Sequence, residues 1–306
     1  MSFIVRKHIY LRFSINIKHL IAAAVPSPGL LLSLFELKIP TWHLISKSFL
    51  LQVRQATLFG RAQFLTFVGA NAGIGYDTSY ALAAASPNNH VLMGVRNQAK
   101  GEKALKELQA REPQGTLSLV ILDVSDDDSI EAAAANIKAD FGRIDVLVNN
   151  AGIVIPDPIT RESLRKVFDT NVFGVLLLTN AVTPLLKASK SPKIINVSSG
   201  MGSITLKLDP TSHLHKMPGE VYRMSKAALN MLTACQHVTI QEIGGTAWAY
   251  CPGYVITDLT NDRENRKNQG AESSETSAQG ILEIVEGKRD GEVGKFIARY
   301  GQQFPW

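Results

Sequence analysis

The stretch Phe64-Leu65-Thr66-Phe67-Val68-Gly69-Ala70-Asn71-Ala72-Gly73-Ile74-Gly75 decides how the rest of the chain is read. Its first five residues, rich in aromatic and branched side chains, make a short buried strand. Gly69, Gly73 and Gly75 then allow a tight turn and a close approach of a ligand to the backbone. N–H groups around Asn71 and Ile74, where the next helix starts, can donate to a pyrophosphate. Such a turn can equally be a plain structural junction, and the residues further along have to decide between the two.

Outward from this turn, short apolar runs alternate with helical patterns. The runs are Phe64–Val68, His90–Val95, Leu117–Leu122, Asp145–Val148, Lys193–Val197, Thr246–Tyr250 and Lys295–Ala298. Between them, Gln98–Arg111, Asp126–Phe141 and Thr160–Lys187 have helical length and spacing, and Ser125 with the acids from Asp126 to Asp128 gives one of them a start signal. Strands apolar on both faces and separated by helices predict an α/β chain: a doubly wound Rossmann fold with a mainly parallel sheet of about seven strands and helices on both faces. At 306 residues, 45% hydrophobic and 19% charged, the chain is long enough for one such domain and is excluded from the disordered and fibrous classes.

Ligands of doubly wound sheets lie beyond the carboxyl ends of the strands. The second run ends in Val95-Arg96, twenty residues after Gly75. An acid near this point bonds the ribose 2′-hydroxyl of NAD, whereas a basic residue suits the 2′-phosphate of NADP, so Arg96 points to NADP over NAD. Further strand ends and turns carry Asp123-Val124, Asn149-Asn150-Ala151-Gly152, Ser198-Ser199-Gly200 and Pro252-Gly253-Tyr254-Val255-Ile256-Thr257; Asn171 and Tyr222-Arg223-Met224-Ser225-Lys226 fall in helical stretches. Each has an ordinary alternative, such as an Asx turn, an N-cap or a surface helix. With seven Tyr and 18 Lys in the chain, about 0.4 Tyr-x3-Lys pairs arise by chance, so that pair decides nothing on its own.

The net charge of +5 suggests a polyanion partner until it is located. Residues 1 to 60 hold seven Lys or Arg and a single acid, Glu36, a local charge of +6 that leaves the remaining 246 residues at −1. No nucleic-acid footprint remains in that body. The basic segment 1–60 therefore reads as a separate N-terminal extension, a leader, a targeting segment or a gene-model artefact, ahead of one domain at 61–306. Its period of two from Ile9 to Ile17 does not make a basic amphipathic helix. The apolar stretch Leu20–Phe35 is 16 residues long and interrupted by Pro26, Pro28 and Gly29, short of the roughly 20 a membrane span needs. Cys235 and Cys251 lack metal-ligand spacing and no metal site is expected. A cytoplasmic location follows as the expectation, with a mitochondrial one if the extension is a targeting segment.

In order along the chain, Gly69-x3-Gly73-x-Gly75, Asp123, Asn149-Asn150-Ala151-Gly152, Asn171, Ser199, Tyr222-x3-Lys226 and Pro252-Gly253 with Thr257 resemble the classical short-chain dehydrogenases/reductases, nearest the carbonyl-reductase-like members of fungal type. The resemblance runs from about Gln63 to the C-terminus. It implies hydride transfer between NADP(H) and a carbonyl or alcohol substrate. Asn171, Ser199, Tyr222 and Lys226 would form the catalytic set. Gly69, Asn71, Gly73, Ile74, Gly75, Arg96, Asp123, Val124, Asn150, Ala151, Gly152, Tyr222, Lys226, Pro252, Gly253, Val255 and Thr257 would hold the cofactor. Two departures stand out: Val68 replaces the usual Thr before the first loop glycine, losing a hydroxyl that ties the loop to its neighbours, and Ser199 and Tyr222 are 23 apart, about ten more than the commonest family spacing, so that Ser203–Val221 contains an insertion.

Tyr222 and Lys226, four apart on a helix, share one face. A neighbouring ammonium and an oxidised nicotinamide would both favour the phenolate, so the Tyr222 pKa is expected below its ordinary value near 10. Ser199 would hold the carbonyl oxygen, and Asn171, by resemblance, would position a water that relays protons to Lys226. The insertion offers Leu206, Leu208, His213, Leu214, His215 and Met217 as pocket lining, and the polar stretch Asp258–Gln279 reads as a lid. A small-molecule substrate, no nucleic acid, no membrane span, and either a monomer or a homodimer complete the expectation. The other reading of the same residues is a non-catalytic NADP-binding redox sensor or scaffold of this fold.

Overall fold

A computed structural model describes residues 63–156 and 158–306; the basic segment 1–60 and the readings attached to it lie outside the described residues. Strand β1 (Gln63–Val68) runs into the glycine turn and helix α1 (Gly73–Ala85). Then follow β2 (Asn89–Val95), α2 (Gln98–Gln109), β3 (Thr116–Ile121), α3 (Asp127–Asp140) and β4 (Val146–Asn149). The second half continues through α4 (Arg161–Phe168), a five-residue π-helical segment (Asp169–Phe173), α5 (Gly174–Leu186), β5 (Lys193–Val197), a short α6 (Ile204–Leu208) and the long α7 (Glu220–Gln241). Strand β6 (Thr246–Cys251), α8 (Arg263–Asn268), α9 (Ser274–Val285), β7 (Phe296–Ala298) and β8 (Gln303–Phe304) close it.

The strands form one eight-stranded sheet in the order β3-β2-β1-β4-β5-β6-β7-β8. Seven are parallel, as their two-sided apolar runs predict, and the two-residue β8 adds an antiparallel edge beyond the expected seven. Two apolar layers cover the sheet. One gathers Leu65, Val91, Met93, Val148, Trp248 and Ile281 under α1, α2 and α9; the other gathers Val68, Leu92, Ile137, Leu147, Leu178 and Val182 under α3 and α5.

Local signals start the helices where the sequence places them. Asn97 caps α2 by accepting from Lys100 N at 2.9 Å. Asp126 caps α3 through Asp128 N and Ser129 N, and Asp127 and Asp128 add favourable charge in the first turn. Thr160 and Ser163 form a reciprocal cap on α4. Among the described residues Arg161–Leu186 is the one helical run long and apolar enough to cross a membrane. Its Val167, Asn171, Val175, Leu178 and Val182 are buried, so it is a core helix of this domain.

The chain order reverses between β1 and β4, which lie side by side with Val68 opposite Asn149. At such a switch point the two flanking connections leave the sheet in opposite directions and open a crevice above the strand ends. The glycine turn and Asn150-Ala151-Gly152 stand at this point.

Candidate active site

Two cavities open above the carboxyl ends of the strands. The smaller, about 460 Å³, is lined by Gly69, Asn71, Gly73 and Ile74 of the turn, by Arg96, Asp123 and Val124, by Asn150, Ala151 and Gly152, and by Tyr222, Lys226, Pro252 and Thr257. The sequence therefore places fourteen of its seventeen cofactor candidates in one crevice. The larger cavity, about 600 Å³ and mostly apolar, takes Ser199, Met201, Leu214, Met217, Tyr222, Tyr254 and Phe304 among its walls. Tyr222 lines both.

The turn is built from backbone that side chains would obstruct. Gly69 and Gly73 have φ of +74° and +55°, in the left-handed region where glycine is at little cost. A Cβ on Gly75 would stand 2.1 Å from the Gly69 carbonyl oxygen, so this glycine lets α1 pack under the turn. It lines neither cavity. Helix α1 begins with no side-chain cap, leaving its first N–H groups to the crevice. The hydroxyl lost at Val68 is compensated from across the switch point, because Asn150 Nδ2 donates to both Val68 O and Gly69 O at 3.2 Å. Asp123 accepts from Ser125 N and Ser125 Oγ at 3.0 and 2.7 Å. Burial pushes its carboxyl up, but these bonds and the Arg96 charge outweigh it and hold the group below the ordinary range. On these observations the crevice fits a dinucleotide: uncapped helix N–H groups for phosphates, an exposed Arg96 and an ionised Asp123.

Helix α7 starts from Gly219, whose φ of +105° turns the insertion into the helix, and it carries Tyr222 and Lys226 on one face. The Lys226 ammonium lies 5.6 Å from the Tyr222 ring centre. It is buried and donates to Val197 O at 2.8 Å, and burial lowers its pKa from 10.5 to about 8. Ser199 follows β5 and caps a single 3-10 turn at Gly200–Gly202, accepting from Met201 N at 3.2 Å. Its neighbour Ser198 donates to Asn230 Oδ1, and Asn230 Nδ2 reaches Gly202 O, which fixes this corner against α7. Ser199 lies near the Tyr222 hydroxyl and is among the groups that pull its pKa down.

A family model for the short chain dehydrogenases matches residues 63–268. The chain belongs to that family. Among its relatives, the short-chain dehydrogenase anuI of Penicillium roqueforti is 37% identical over 237 residues, 75% of this chain and 91% of the relative. The short-chain dehydrogenase/reductase tropE of Talaromyces stipitatus is 31% identical over 264 residues, 80% of this chain and 98% of the relative. The crystal structure of NADPH-bound carbonyl reductase from chicken fatty liver superimposes with a TM-score of 0.69 at 32% identity, covering 80% of this chain and all of that one. The resemblance to the carbonyl-reductase-like short-chain dehydrogenases stands, and with it the Rossmann-like fold.

Within this short-chain dehydrogenase several expected placements change. Gly253 and Val255, in the loop that follows β6, line the larger cavity and not the crevice, whereas Pro252 and Thr257 of the same loop line both. Asn171 is fully buried and its side chain faces neither cavity. Its Oδ1 accepts from Ile153 N at 2.9 Å, and its Nδ2 donates to Ile153 O and Ser225 Oγ, both at 3.0 Å. The side chain thereby joins the loop after β4 to the back of α7, using both Nδ2 hydrogens and one of the two acceptor positions of Oδ1. The Tyr222 pKa is raised: burial of the hydroxyl is the largest influence, and Lys226 is not among the groups that offset it.

The insertion contributes His213, Leu214 and Met217 to the larger cavity, while Leu206, Leu208 and His215 stay outside it. His215 is held by the main chain, Nδ1 lying 2.9 Å from Lys207 O. The expected lid is shorter than Asp258–Gln279. Leu259, Thr260, Arg266 and Gln269 line the cavity, whereas Ser274–Gln279 begin α9, whose Ser277 and Ala278 are buried and whose Ser277 Oγ donates to Pro252 O at 2.8 Å.

Two functional residues escaped the sequence reading. Arg223, between Tyr222 and Lys226, reads as a surface position, yet it is buried and donates to Met201 O, Leu214 O and Met217 O, gathering the insertion around the catalytic corner. Phe304 enters from β8, which pairs with β7, and seals the cavity floor over Gly200, where a Cβ would meet its ring at 2.9 Å. An arginine inside a Tyr-x3-Lys helix and an aromatic-rich terminus are the only hints the sequence gives of either.

Proposed function

We propose that this short-chain dehydrogenase is an NADP(H)-dependent carbonyl reductase, interconverting a ketone or aldehyde and its alcohol through Ser199, Tyr222 and Lys226. The observation that carries the reading is the position of Tyr222 in the wall between the two cavities, with Ser199 on the apolar side and Lys226 on the crevice side. When bound in the crevice, the nicotinamide cofactor supplies hydride to the carbonyl carbon.

The protein's own work is to hold the carbonyl and manage one proton. Ser199 and Tyr222 both line the larger cavity, and their hydroxyls would hold a carbonyl oxygen there. Tyr222 is the proton donor. Its burial keeps it protonated up to high pH, so the acid is present at every working pH. Giving up that proton leaves a phenolate in an apolar enclosure, and the Lys226 ammonium is the buried cation on the same helix face that stabilises it. Asn171 acts as a positioning residue, fixing Ile153 and Ser225 around this corner. Arg96, exposed at the end of β2, is the residue that would meet a 2′-phosphate. Relatives named as short-chain dehydrogenases and the NADPH-bound carbonyl reductase support the same reading. Pairing of two copies is supported by apolar residues left exposed on adjoining helices, Phe173 and Leu177 on one side, Met224 and Met231 on the other.

Tyr222→Phe tests the proposal. Reduction of carbonyl compounds by NADPH should fall by about 10²–10⁴, with NADPH binding, read by fluorescence of the bound cofactor, unchanged. Turnover at the wild-type rate would remove Tyr222 from the mechanism. NADPH binding with no turnover by the wild type across a broad carbonyl panel would favour the sensor or scaffold reading instead.

A further inference from the structure

The proposed reaction leaves one charge in the larger cavity without a task. Two side chains of fixed charge line it, Glu220 and Arg266. Glu220 stands in the first turn of α7, where its own N–H and that of Gly219 hold its carboxyl below the usual range, with Lys207 and Arg223 acting in the same direction. Its charge is therefore answered by groups beside it.

Arg266 has no such answer. The ion pairs among the described residues leave it without a carboxylate. It is nevertheless held in place. Its Nε donates to Val255 O at 2.8 Å, one terminal nitrogen reaches Thr260 Oγ1 at 3.5 Å, and the guanidinium carbon stands 4.7 Å from the Tyr254 ring centre. Tyr254 is itself tethered, donating from its hydroxyl to Gln269 Oε1 at 2.9 Å. A guanidinium has five N–H donors, so at least three remain after these bonds. A surface arginine would extend into water; this one is clamped, half-buried, into the wall of a mostly apolar cavity. Its charge also reaches the reacting end. Burial is the largest influence on the Tyr222 hydroxyl and pushes it up, and Arg266 is among the groups pulling it down.

We infer that Arg266 is a specificity-determining residue that selects carbonyl compounds bearing a carboxylate, or another acidic oxygen, on an apolar frame. The inference rests on the larger cavity being the carbonyl-substrate site. The apolar walls accept the frame, Ser199 and Tyr222 take the carbonyl, and the planar fork of Arg266 receives the anion by paired N–H···O bonds, a geometry that a lysine reproduces only in charge.

The test titrates 2-naphthoate and 2-naphthamide, alike in shape and different in charge, into the full chain by calorimetry. The acid should bind about ten-fold more tightly than the amide, equivalent to about 1.4 kcal/mol. Arg266→Gln should reduce the acid to the level of the amide while leaving amide affinity unchanged, which shows that the cavity is intact; Arg266→Lys should keep part of the preference. Equal affinities in the wild type, no acid binding, or a preference surviving in Arg266→Gln would each overturn the assignment. Turnover of matched keto acids and their methyl esters with NADPH separates this from the proposed reaction. Esters used as well as acids would refute the role of Arg266 with carbonyl reduction intact. NADPH consumption with no member of either series would refute the reduction, while the calorimetry still decides the anion site.

Discussion

Lys226 offers a prediction whose size follows from its burial. Enclosed under Tyr222, it has its pKa lowered from 10.5 to about 8, because burial disfavours the charged form. Between those two pH values the unfolded chain carries a proton that the folded chain has released. Stability therefore rises with pH across this window, the opposite of what a lysine gaining an acidic partner would give. Integrating the two titrations from pH 7 to pH 9.5 gives a gain of about 2 kcal/mol from this one side chain. Lys226→Met removes the titration and keeps the length and bulk. The Val197 carbonyl that loses its donor contributes a term that does not depend on pH. The Tyr222 hydroxyl and the buried Cys251 thiol, both raised by burial, lower stability at alkaline pH in both proteins; because Lys226 pulls the Cys251 pKa down, the thiol's loss is somewhat larger in the variant and adds to the fall in the same direction. The assay is urea unfolding of both proteins without cofactor at several pH values from 7 to 9.5. The stability of the variant relative to the wild type should fall by about 2 kcal/mol over the series. Two profiles that stay parallel would refute the buried, pKa-lowered lysine.

Two further outcomes test the crevice. Gly75→Ala places a Cβ 2.1 Å from the Gly69 carbonyl oxygen and 2.9 Å from Asn150 Nδ2, so the turn must shift. NADPH affinity should fall by at least ten-fold in a fluorescence titration, and an unchanged affinity would show that the turn does not shape the site. Arg96→Gln should lower the ratio of NADPH to NADH affinity by about ten-fold or more, the size of one charge-assisted hydrogen-bonded contact, with NADH binding held constant; a variant that loses both cofactors equally would place Arg96 in the fold and not at a 2′-phosphate.

The residues legible in the sequence are those whose role is local. The glycine turn announces itself because three glycines must coincide within seven residues for the backbone to double back, and the acids from Asp126 announce a helix because a cap acts on the N–H groups two or three positions on. The cofactor crevice follows at one remove, since parallel strands bring their carboxyl ends to one edge and so gather Gly69, Asp123 and Asn150 whatever the details of packing.

What stays hidden depends on a direction or a depth that spacing does not encode. Asn171 and Arg223 both lie in predicted helices, and one residue's rotation decides whether an amide meets a cavity or the Ile153 backbone. The π-helical turn at Asp169–Phe173 supplies such a rotation by adding a residue to one turn. Depth decides Tyr222. Helical spacing puts Lys226 beside it and suggests a lowered pKa, but the enclosure that makes Lys226 useful also removes water from the phenol, and the loss of water prevails. A buried lysine close to losing its own proton can stabilise a phenolate at the moment it forms without drawing the proton off beforehand. Tyr222 thus waits as an acid, and the same burial that raises its pKa sharpens the response to any charge introduced beside it, Arg266 and a bound carboxylate included.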